Sequence, residues 1–284
     1  STPISMSKVT AIDLGSNSFR VLVYNYKKNI ILKEYNTIVG TADKLIDTGI
    51  ISDAAIQRII SAIKESSLKL GYVPNDCVGV TTAAMRIAKN KDAALDLIHK
   101  STGVKLEIIN ADEEARLTLL AIKYALKREN IKSKNFILLD IGGGSVELII
   151  NKDEAFFIKS FDFGIVTLSQ LHNNKNKLKA DLENKKVLIK KYLNTLDVNF
   201  DDFEFIATAG TPTTIAAIKH GQTFSTYDKN VINGTTVNLN DLNNCLDLLN
   251  QLNGDKLNDL FGTNKKEFIE VGILIFKTMF ESLN

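Results

Sequence analysis

A charged residue stands on each side of the three glycines in the apolar stretch LLDIGGGSVELII, which begins at Leu138. Asp140 precedes the glycines, and Glu147 follows them. Burying a carboxylate in an apolar strand costs several kcal/mol unless the group is hydrogen-bonded, paired or bound to a cation. A hairpin that turns at the glycines would place Glu147 opposite Asp140 on one face of the sheet. Both carboxylates are therefore candidate ligands of a metal ion.

The same layout occurs near the N-terminus, in AIDLGSNSFRVLVY. The alignment pairs Asp13 with Asp140, Gly15 with Gly142, Ser18 with Ser145, and residues 21–23 with 148–150. The chain thus contains one hairpin twice, and we expect Asp13 and Asp140 to point into a cleft between two related halves. Arg20 occupies the position equivalent to Glu147, so a buried salt bridge between Arg20 and Glu147 is the alternative to a metal site.

Glycine-rich turns bind phosphate because their backbone N–H groups are not shielded by a Cβ atom. No GK[ST] follows the glycines, which excludes a Walker loop. The segment IGGGS continues into the strand-like VELII and not into a helix, which disfavours a dinucleotide-binding turn. Two carboxylates beside a phosphate would repel it unless a divalent cation lay between them, and Mg²⁺ binds such oxygen ligands. The pattern indicates a phosphate-binding hairpin with Mg²⁺, or with Mn²⁺ as an alternative.

A third candidate loop is ATAGTPTTIAA, in which a strand leads through Gly210 and Thr211 to Pro212 at the first turn of a helix. The free N–H groups of a helix start suit an anion. An ordinary capped helix explains the same residues.

These motifs require two sets of elements. In the first half, residues 9–12, 19–24 and NIILKEYNTIVG predict three strands, and alternating helices and strands follow up to the helix ADEEARLTLLAIKYALKREN. The segment SDAAIQRIISAIKESSLKLG predicts a helix with Ser52 or Asp53 as N-cap and Gly71 at its end. The second half restarts with three strands in NFILLDIGGGSVELIIN and EAFFIKSFDFG, followed by a Lys-rich helix, the strand EFIATAG and three helices. We therefore predict two related α/β domains, residues 6–126 and 127–284, on either side of a cleft.

The composition bounds the function classes. With 284 residues, 44% of them hydrophobic and 24% charged, the chain is typical of soluble globular proteins. It has neither an apolar run of the ~20 residues that a membrane span requires nor a secretory h-region, and we treat the five residues before Met6 as an expression remnant. Two cysteines without metal-ligand spacing suit a reducing cytoplasm, and three scattered histidines give no support to a zinc site or a Ser-His-Asp triad. A net charge of +2 gives no reason to expect a nucleic-acid partner.

The Lys-rich segment NNKNKLKADLENKKVLIKK is the local exception to this neutral charge balance. A solvated helix face is the ordinary interpretation of such a charge run. A basic wall that contacts a polyanion is the alternative.

Taken in order, AIDLGSNSFRVLVYN, TTAAMR, NADEEARL, LLDIGGGSVELII and ATAGTPTT resemble the exopolyphosphatase and guanosine pentaphosphate phosphohydrolase (Ppx/GppA) family. The resemblance covers the chain from Val9 onward. It implies two actin-like domains of the ribonuclease H-like type, within the actin, sugar-kinase and Hsp70 (ASKHA) superfamily. The chain resembles the short, two-domain form of the family.

The resemblance also implies residue roles. Glu114 in DEEARL matches the carboxylate that activates the attacking water, and Arg86 in TTAAMR matches an arginine that would neutralise phosphate charge. Asp140, Glu147 and Asp13 would hold the metal. The phosphates would contact Ser16, Asn17, Ser18, Arg20, Gly143, Gly144, Ser145, Gly210 and Thr211. Without the resemblance, Glu114 could simply be a favourable charge in the first turn of a helix, and Arg86 could form a surface ion pair.

The expected function is that of a Mg²⁺-dependent hydrolase of the stringent response, acting on inorganic polyphosphate or on guanosine penta- or tetraphosphate. A kinase-type member of the superfamily is an alternative, but the sugar-binding segment and the base motif of a kinase are not found. A non-catalytic sensor of alarmone or polyphosphate is the other alternative, although binding alone would not require Glu114. The sequence leaves the oligomeric state open, a homodimer included, and does not distinguish the two substrates.

Overall fold

The computed structural model describes residues 7–28, 30–128, 135–153, 155–201, 203–208, 210–223, 236–262 and 265–283. The chain divides into two compact units, Ser1–Glu114 and Ala115–Asn284. Both units are α/β, as the sequence predicts.

The strands are β1 (Lys8–Leu14), β2 (Ser18–Asn25), β3 (Ile30–Ile38), β4 (Val78–Thr81), β5 (Leu106–Ile108), β6 (Asn135–Ile141), β7 (Val146–Lys152), β8 (Ala155–Phe161) and β9 (Glu204–Thr208). The helices are α1 (Leu45–Thr48), α2 (Asp53–Leu70), α3 (Ala83–Ile87), α4 (Lys91–Thr102), α5 (Ala111–Arg128), α6 (Ile165–Leu171), α7 (Lys175–Thr195), α8 (Gly210–Lys219), α9 (Leu239–Gln251), α10 (Gly254–Phe261) and α11 (Lys266–Leu283). A 3₁₀ turn, Pro74–Asp76, precedes β4.

The first unit is built on a five-stranded sheet in the order β3-β2-β1-β4-β5. Strands β1, β2 and β3 pair antiparallel, whereas β4 and β5 join in parallel. Helix α2 packs against β2 and β3. It begins after Ser52, whose side chain accepts a hydrogen bond from Ala55 N–H, and Gly71 ends it with a φ of 72°. Both predicted ends of this helix are confirmed.

The second unit repeats this order in its four-stranded sheet, β8-β7-β6-β9. Its central strand β6 is buried on both faces, because successive side chains point to opposite sides of a strand. Ile137 and Leu139 belong to the core shared with α6, α7 and α11, whereas Phe136 and Leu138 pack with Ala115 and Leu119 of α5. The predicted repeat of one hairpin in two units is thereby confirmed.

Helix α5 crosses the division between the units. Its first residues, up to Glu114, belong to the first unit, and the rest belongs to the second. The predicted domain boundary, between residues 126 and 127, falls on the same helix and stays a prediction. The expected cleft also stays a prediction.

The sequence misses the short helices α1, α6 and α10. The segment FDFGIVTLSQLH follows a strand directly and is too short to show helical periodicity, so α6 has no clear local signal. This helix nevertheless contacts the glycine turn, as described below.

Helix α7 contains the Lys-rich segment, and several of its lysines form ion pairs. Lys175 lies 2.8 Å from Glu270, Lys185 lies 3.0 Å from Asp181, and Lys186 lies 2.6 Å from Glu281. Carboxylates of the same unit thus neutralise part of the charge, which favours the solvated helix over a basic wall. Within the described residues, no helix combines the length and the hydropathy that a membrane span requires.

Candidate functional site

The hairpin β6–β7 has the predicted register. Asp140 lies directly opposite Glu147 in the antiparallel pair, so their side chains share one face of the sheet. Glu147 is 1% exposed. The inference from sequence that a buried carboxylate faces Asp140 across the turn is confirmed.

Two hydroxyl groups satisfy the buried carboxylate of Glu147. Ser145 Oγ donates to Glu147 Oε1 at 2.8 Å, and Ser160 Oγ on β8 donates to the same oxygen at 3.1 Å. These bonds reduce the cost of burying the charge. They also engage the hydroxyl of Ser145, which the resemblance assigns to phosphate. Arg20, on the first hairpin, donates from Nε to Asn36 Oδ1 at 3.3 Å.

The turn between the two strands is closed by one hydrogen bond, from Gly142 N–H to the carbonyl of Ser145 at 2.9 Å. The N–H groups of Gly143 and Gly144 donate to no group in the described part of the chain. These two N–H groups are available to an anion, as the sequence predicts for a phosphate-binding turn.

Helix α5 brings Glu114 to this hairpin. The helix is anchored by Ala115 and Leu119, which pack on Phe136 and Leu138 of β6. Glu114 directly precedes Ala115, and one carboxylate oxygen from each of Glu114, Asp140 and Glu147 lies within 4.8 Å of the others. Thr118 follows Glu114 by one helical turn, and its Oγ1 lies 3.5 Å from Asp140 Oδ2. Two predicted metal ligands and the predicted catalytic carboxylate thus form one group.

The start of α5 is fixed by Asn110. Its carbonyl accepts from Glu114 N–H at 3.0 Å, and its Oδ1 accepts from Glu113 N–H at 2.8 Å. This cap orients the first turn, in which adjacent side chains point about 100° apart. The side chains of Glu113 and Glu114 therefore cannot both point to the same place in the site.

Arg86 approaches Glu114 in the first unit. Its Nη2 lies 3.8 Å from Glu114 Oε2, which is too long for a hydrogen bond, and its Nε donates to the carbonyl of Ile109 at 3.3 Å. Arg86 Nη2 is buried and has no hydrogen-bond partner among the described residues. Such a buried cationic donor suits an additional anionic ligand.

The first hairpin reproduces the geometry of the second. Asp13 lies opposite Arg20, and Gly15 N–H donates to the carbonyl of Ser18 at 2.9 Å. Surrounding protein atoms raise the pKa of Asp13 by desolvation, although the residue retains solvent contact, and the charge of Arg20 opposes this effect. Asp13 therefore tolerates its negative charge less well than an ordinary aspartate.

The other residues of the first turn differ in exposure. Ser16 is buried, and its Oγ accepts from Ala84 N–H at 3.2 Å, so that hydroxyl has a structural partner. Asn17 is half-buried, and Ser18 and Arg20 are exposed. Their part in phosphate binding stays a prediction.

The third loop starts helix α8 directly at Gly210. Gly210 is exposed, and Thr211 is half-buried. Thr214 Oγ1 donates to the carbonyl of Gly210 at 3.1 Å, which is a bond within the helix. These contacts also occur in an ordinary helix, so the role of Gly210 and Thr211 stays a prediction.

Three features of the site were not identified from the sequence: the two hydroxyl donors to Glu147, the hydroxyl of Thr118 beside Asp140, and the contact of α6 with the glycine turn. The alternation of AFFIKSF and its antiparallel pairing could have pointed to Ser160, which lies directly opposite Glu147. The other two contacts depend on helices that pack across the sheet.

A solved structure supports the fold assignment. The structure described as the Aquifex aeolicus PPX-GPPA enzyme matches 97% of this chain and 92% of its own, with a TM-score of 0.72 and 25% identity. The similarity confirms the expected α/β fold class.

Two longer relatives match by sequence. The guanosine-5'-triphosphate,3'-diphosphate pyrophosphatase of Pseudoalteromonas atlantica is 27% identical over 224 residues, which cover 76% of this chain and 44% of that protein. The bifunctional 3-dehydroquinate synthase/phosphatase of Fusobacterium nucleatum is 24% identical over 288 residues, which cover 95% of this chain and 43% of that protein. The chain thus spans less than half the length of both relatives.

The model of the Ppx/GppA phosphatase family matches residues 23–284, which include the second hairpin, Arg86 and Glu114. With this match over most of its length, the chain belongs to the Ppx/GppA phosphatase family.

Proposed function

We propose that the protein is a divalent-metal-dependent phosphoanhydride hydrolase that releases the terminal phosphate of inorganic polyphosphate or of guanosine pentaphosphate (pppGpp). Membership of a phosphatase family supports the reaction class, and the activity that the name of the Pseudoalteromonas relative states supports the guanosine nucleotide as a candidate substrate. A cytoplasmic location and a role in the stringent response remain predictions from the sequence.

The observation that carries the proposal is the combination of two features at the turn of the second hairpin. A group of three carboxylates, Glu114, Asp140 and Glu147, lies next to a turn with two backbone N–H groups that donate to no group among the described residues. The N–H groups attract phosphate, whereas the carboxylates repel it. The two features are compatible at one turn when a cation separates them.

The donor set of the carboxylate group fits a hard divalent cation. All its candidate ligands are oxygen atoms, and neither histidine nor cysteine belongs to the group. Oxygen ligands suit Mg²⁺, with Mn²⁺ as an alternative. Asp140 and Glu147 would hold the ion, and Asp13 is a third candidate. When bound, a divalent cation neutralises charge on the phosphate oxygens.

Glu114 and Arg86 would perform the remaining roles in the hydrolysis. Glu114 would orient a water molecule and accept its proton as the water oxygen bonds to the terminal phosphorus. The bond from that phosphorus to the bridging oxygen breaks, and the bridging oxygen leaves with the shortened substrate. Arg86 Nη2 would neutralise charge on the transferred group.

Backbone N–H groups would bind the phosphate that the water attacks. Gly143 and Gly144 supply two donors in the second hairpin. The remaining proposed phosphate contacts are Ser16, Asn17, Ser18, Arg20, Ser145, Gly210 and Thr211.

The decisive experiment measures phosphate release from the purified protein with Mg²⁺ and either polyphosphate or pppGpp. We expect release from at least one substrate and complete loss of release with excess EDTA. Binding without release would identify a sensor. Neither binding nor release with both substrates would contradict the proposed function.

A further inference from the structure

The first turn of α6 contacts the back of the glycine turn. Three N–H groups that a helix start leaves without intrahelical partners donate to carbonyls of that turn. Ile165 N–H donates to Gly142 O at 2.9 Å, and Val166 and Thr167 N–H donate to Gly143 O at 2.8 and 3.1 Å. The start of α6 is therefore occupied by the protein's own backbone.

These bonds determine where the N–H groups of the turn point. In a trans peptide the C=O and the following N–H point in opposite directions within one plane. Because α6 holds the carbonyls of Gly142 and Gly143, the N–H groups of Gly143 and Gly144 point away from α6. Both groups lack a partner among the described residues.

The contact leaves no room for a side chain at Gly164. A Cβ atom at this position would lie 2.5 Å from the carbonyl carbon and oxygen of Gly143 and from the nitrogen of Gly144. These are backbone atoms of the turn and cannot rotate away as a side chain would. The φ of Gly164 is −152°, which is extended backbone that any residue adopts. Close approach, and not backbone conformation, is thus what requires glycine here.

The side chain of Thr167 contacts the backbone of Gly164 in the same turn of the helix. Its Oγ1 accepts from Gly164 N–H at 2.9 Å and lies 3.3 Å from the carbonyl of Gly164. Thr167 therefore fixes Gly164 through its side chain while its own N–H holds Gly143.

The first unit has a related arrangement at its own turn, but the carbonyls that it engages lie one position further along the aligned hairpin. Val39 and Gly40 N–H donate to Asn17 O at 2.9 and 3.0 Å, and Ala42 N–H donates to Ser16 O at 2.8 Å. In both units, the segment after the third strand holds the carbonyls of the turn from behind. A backbone contact behind the turn thus recurs in both units, although the carbonyls that it engages differ by one position.

We propose that Gly164 and Thr167 are positioning residues, which hold the carbonyls of the glycine turn against α6 so that the N–H groups of Gly143 and Gly144 are aimed at phosphate oxygens. The inference rests on the proposed function, because it assigns these N–H groups to the substrate. It adds two residues that contact neither substrate nor metal.

The test compares four variants with the wild-type protein. Gly164→Ala pushes the turn away from α6. Thr167→Val removes the hydroxyl contact with Gly164, and Thr167→Ser restores it. Ser169→Ala is the matched control on the same helix, because in the described part of the chain Ser169 Oγ donates only to the carbonyl of Ile165. The measurements are melting temperature, the KM and kcat of phosphate release, and the Kd of imidodiphosphate by calorimetry with Mg²⁺ present.

For Gly164→Ala we expect Kd and KM to rise at least tenfold, since two charge-assisted hydrogen bonds are misaligned. Thr167→Val should show a smaller rise, whereas Thr167→Ser and Ser169→Ala should stay within twofold of wild type. If Gly164→Ala does not fold, the inference is tested by the difference in Kd and KM between Thr167→Val and Thr167→Ser.

Wild-type binding in a folded Gly164→Ala variant would overturn the inference and leave the proposed function intact. Equal binding by both Thr167 variants would overturn it when Gly164→Ala does not fold. If the wild-type protein itself neither binds imidodiphosphate nor releases phosphate, the proposed function fails, and the inference fails with it.

Discussion

At the scale of single residues, the site depends on carboxylates whose neighbours give them different tasks. Glu147 is buried and accepts hydrogen bonds from two serine hydroxyls, which fix its orientation. Glu114 lies in the first turn of a helix near Arg86. The first position suits a metal ligand, and the second suits a group that exchanges protons with water.

Replacing Glu114 by Gln tests its role as a base. The variant keeps the shape of the side chain and loses the basic oxygen, so we expect phosphate release to fall about 10²–10⁴-fold. Substrate affinity should be retained or rise, because a negative charge near a polyanion is removed. Glu113→Gln is the matched control and should be much milder. Equal turnover of Glu114→Gln and wild type at saturating substrate and Mg²⁺ would remove Glu114 from the mechanism.

Replacing Glu147 by Gln tests the metal site. We expect the Mg²⁺ concentration for half-maximal activity to rise about 100-fold or more, with a smaller change in substrate binding, because the lost charge belongs to the ion's ligands. Ser160→Ala removes only a hydrogen bond to that ligand and should raise the required Mg²⁺ about tenfold. An unchanged metal response in Glu147→Gln would assign Glu147 a purely structural role.

At the scale of elements, two helices position the site on the second hairpin. Helix α5 carries Glu114 and packs on β6 through Ala115 and Leu119. Helix α6 holds the glycine turn and ends at His172, whose Nε2 lies 2.7 Å from Asp181 Oδ2 on α7. The geometry of the site thus depends on how these helices are anchored to the second unit.

Leu119→Ala tests the anchor of α5. Leu119 is 2% exposed, and its truncation should cost about 2–5 kcal/mol of stability. Phosphate release should also fall at temperatures where the variant is folded, since a small displacement of a catalytic group is costly. The neighbouring Leu120 is 51% exposed, and Leu120→Ala should change the free energy of unfolding by less than about 0.5 kcal/mol. Similar urea unfolding midpoints for the two variants would contradict the packing of α5.

Asp181→Asn tests the anchor of α6 through pH. Burial by itself raises the pKa of Asp181. The hydrogen bonds from His172 and Lys185, together with the charges of these two residues, lower the pKa by more than burial raises it, so the pKa of Asp181 lies below its ordinary value. The carboxylate therefore stabilises the fold above the unfolded pKa of about 3.9, and this contribution is lost as the pH falls through the lowered folded pKa.

We accordingly expect Asp181→Asn to cost about 1–2 kcal/mol at pH 7, with a difference from wild type that shrinks in acid. Urea unfolding at several pH values measures this. Glu183→Gln, at an exposed carboxylate on the same helix, is the control and should cost less than about 0.5 kcal/mol. A difference that persists unchanged below the folded pKa would show that the charge of Asp181 is not responsible.

At the scale of the whole molecule, the described residues form two units of the same sheet order, each with its own glycine or serine turn. The two cysteines lie in different units, and both are free thiols. Burial raises the pKa of Cys77 and of Cys245 to about 11. Neither thiol belongs to the proposed site.

We therefore predict that the folded protein is insensitive to its redox environment. At pH 8 about one thiol in a thousand would be ionised at a pKa of about 11, and only the thiolate reacts readily. Alkylation by iodoacetamide, followed by mass spectrometry, should be far slower in the native protein than in urea. Phosphate release should be the same with and without reductant. Rapid labelling of native Cys77 at pH 8 would contradict the raised pKa.

Local rules were sufficient for the hairpins and for many helix ends. Alternating side chains fix which residues share a face, so the position of Glu147 opposite Asp140 followed from the spacing around the glycines. The caps of α2 followed from the residue types Ser52 and Gly71. The recurrence of one pattern then predicted two related units, because the same local preferences act at both places.

Contacts between distant parts of the chain were decided only by the tertiary structure. Ser160 reaches Glu147 from a third strand, Glu114 joins the carboxylate group because α5 packs across β6, and Gly164 meets the glycine turn from a helix without a local signal. Each contact joins segments whose own sequences are compatible with several arrangements. Packing selects among them, because side-chain volume and backbone hydrogen bonds must be satisfied at the same time throughout the unit. The residue types that could perform chemistry are thus set by the sequence, whereas their distances and orientations are set by the packed fold.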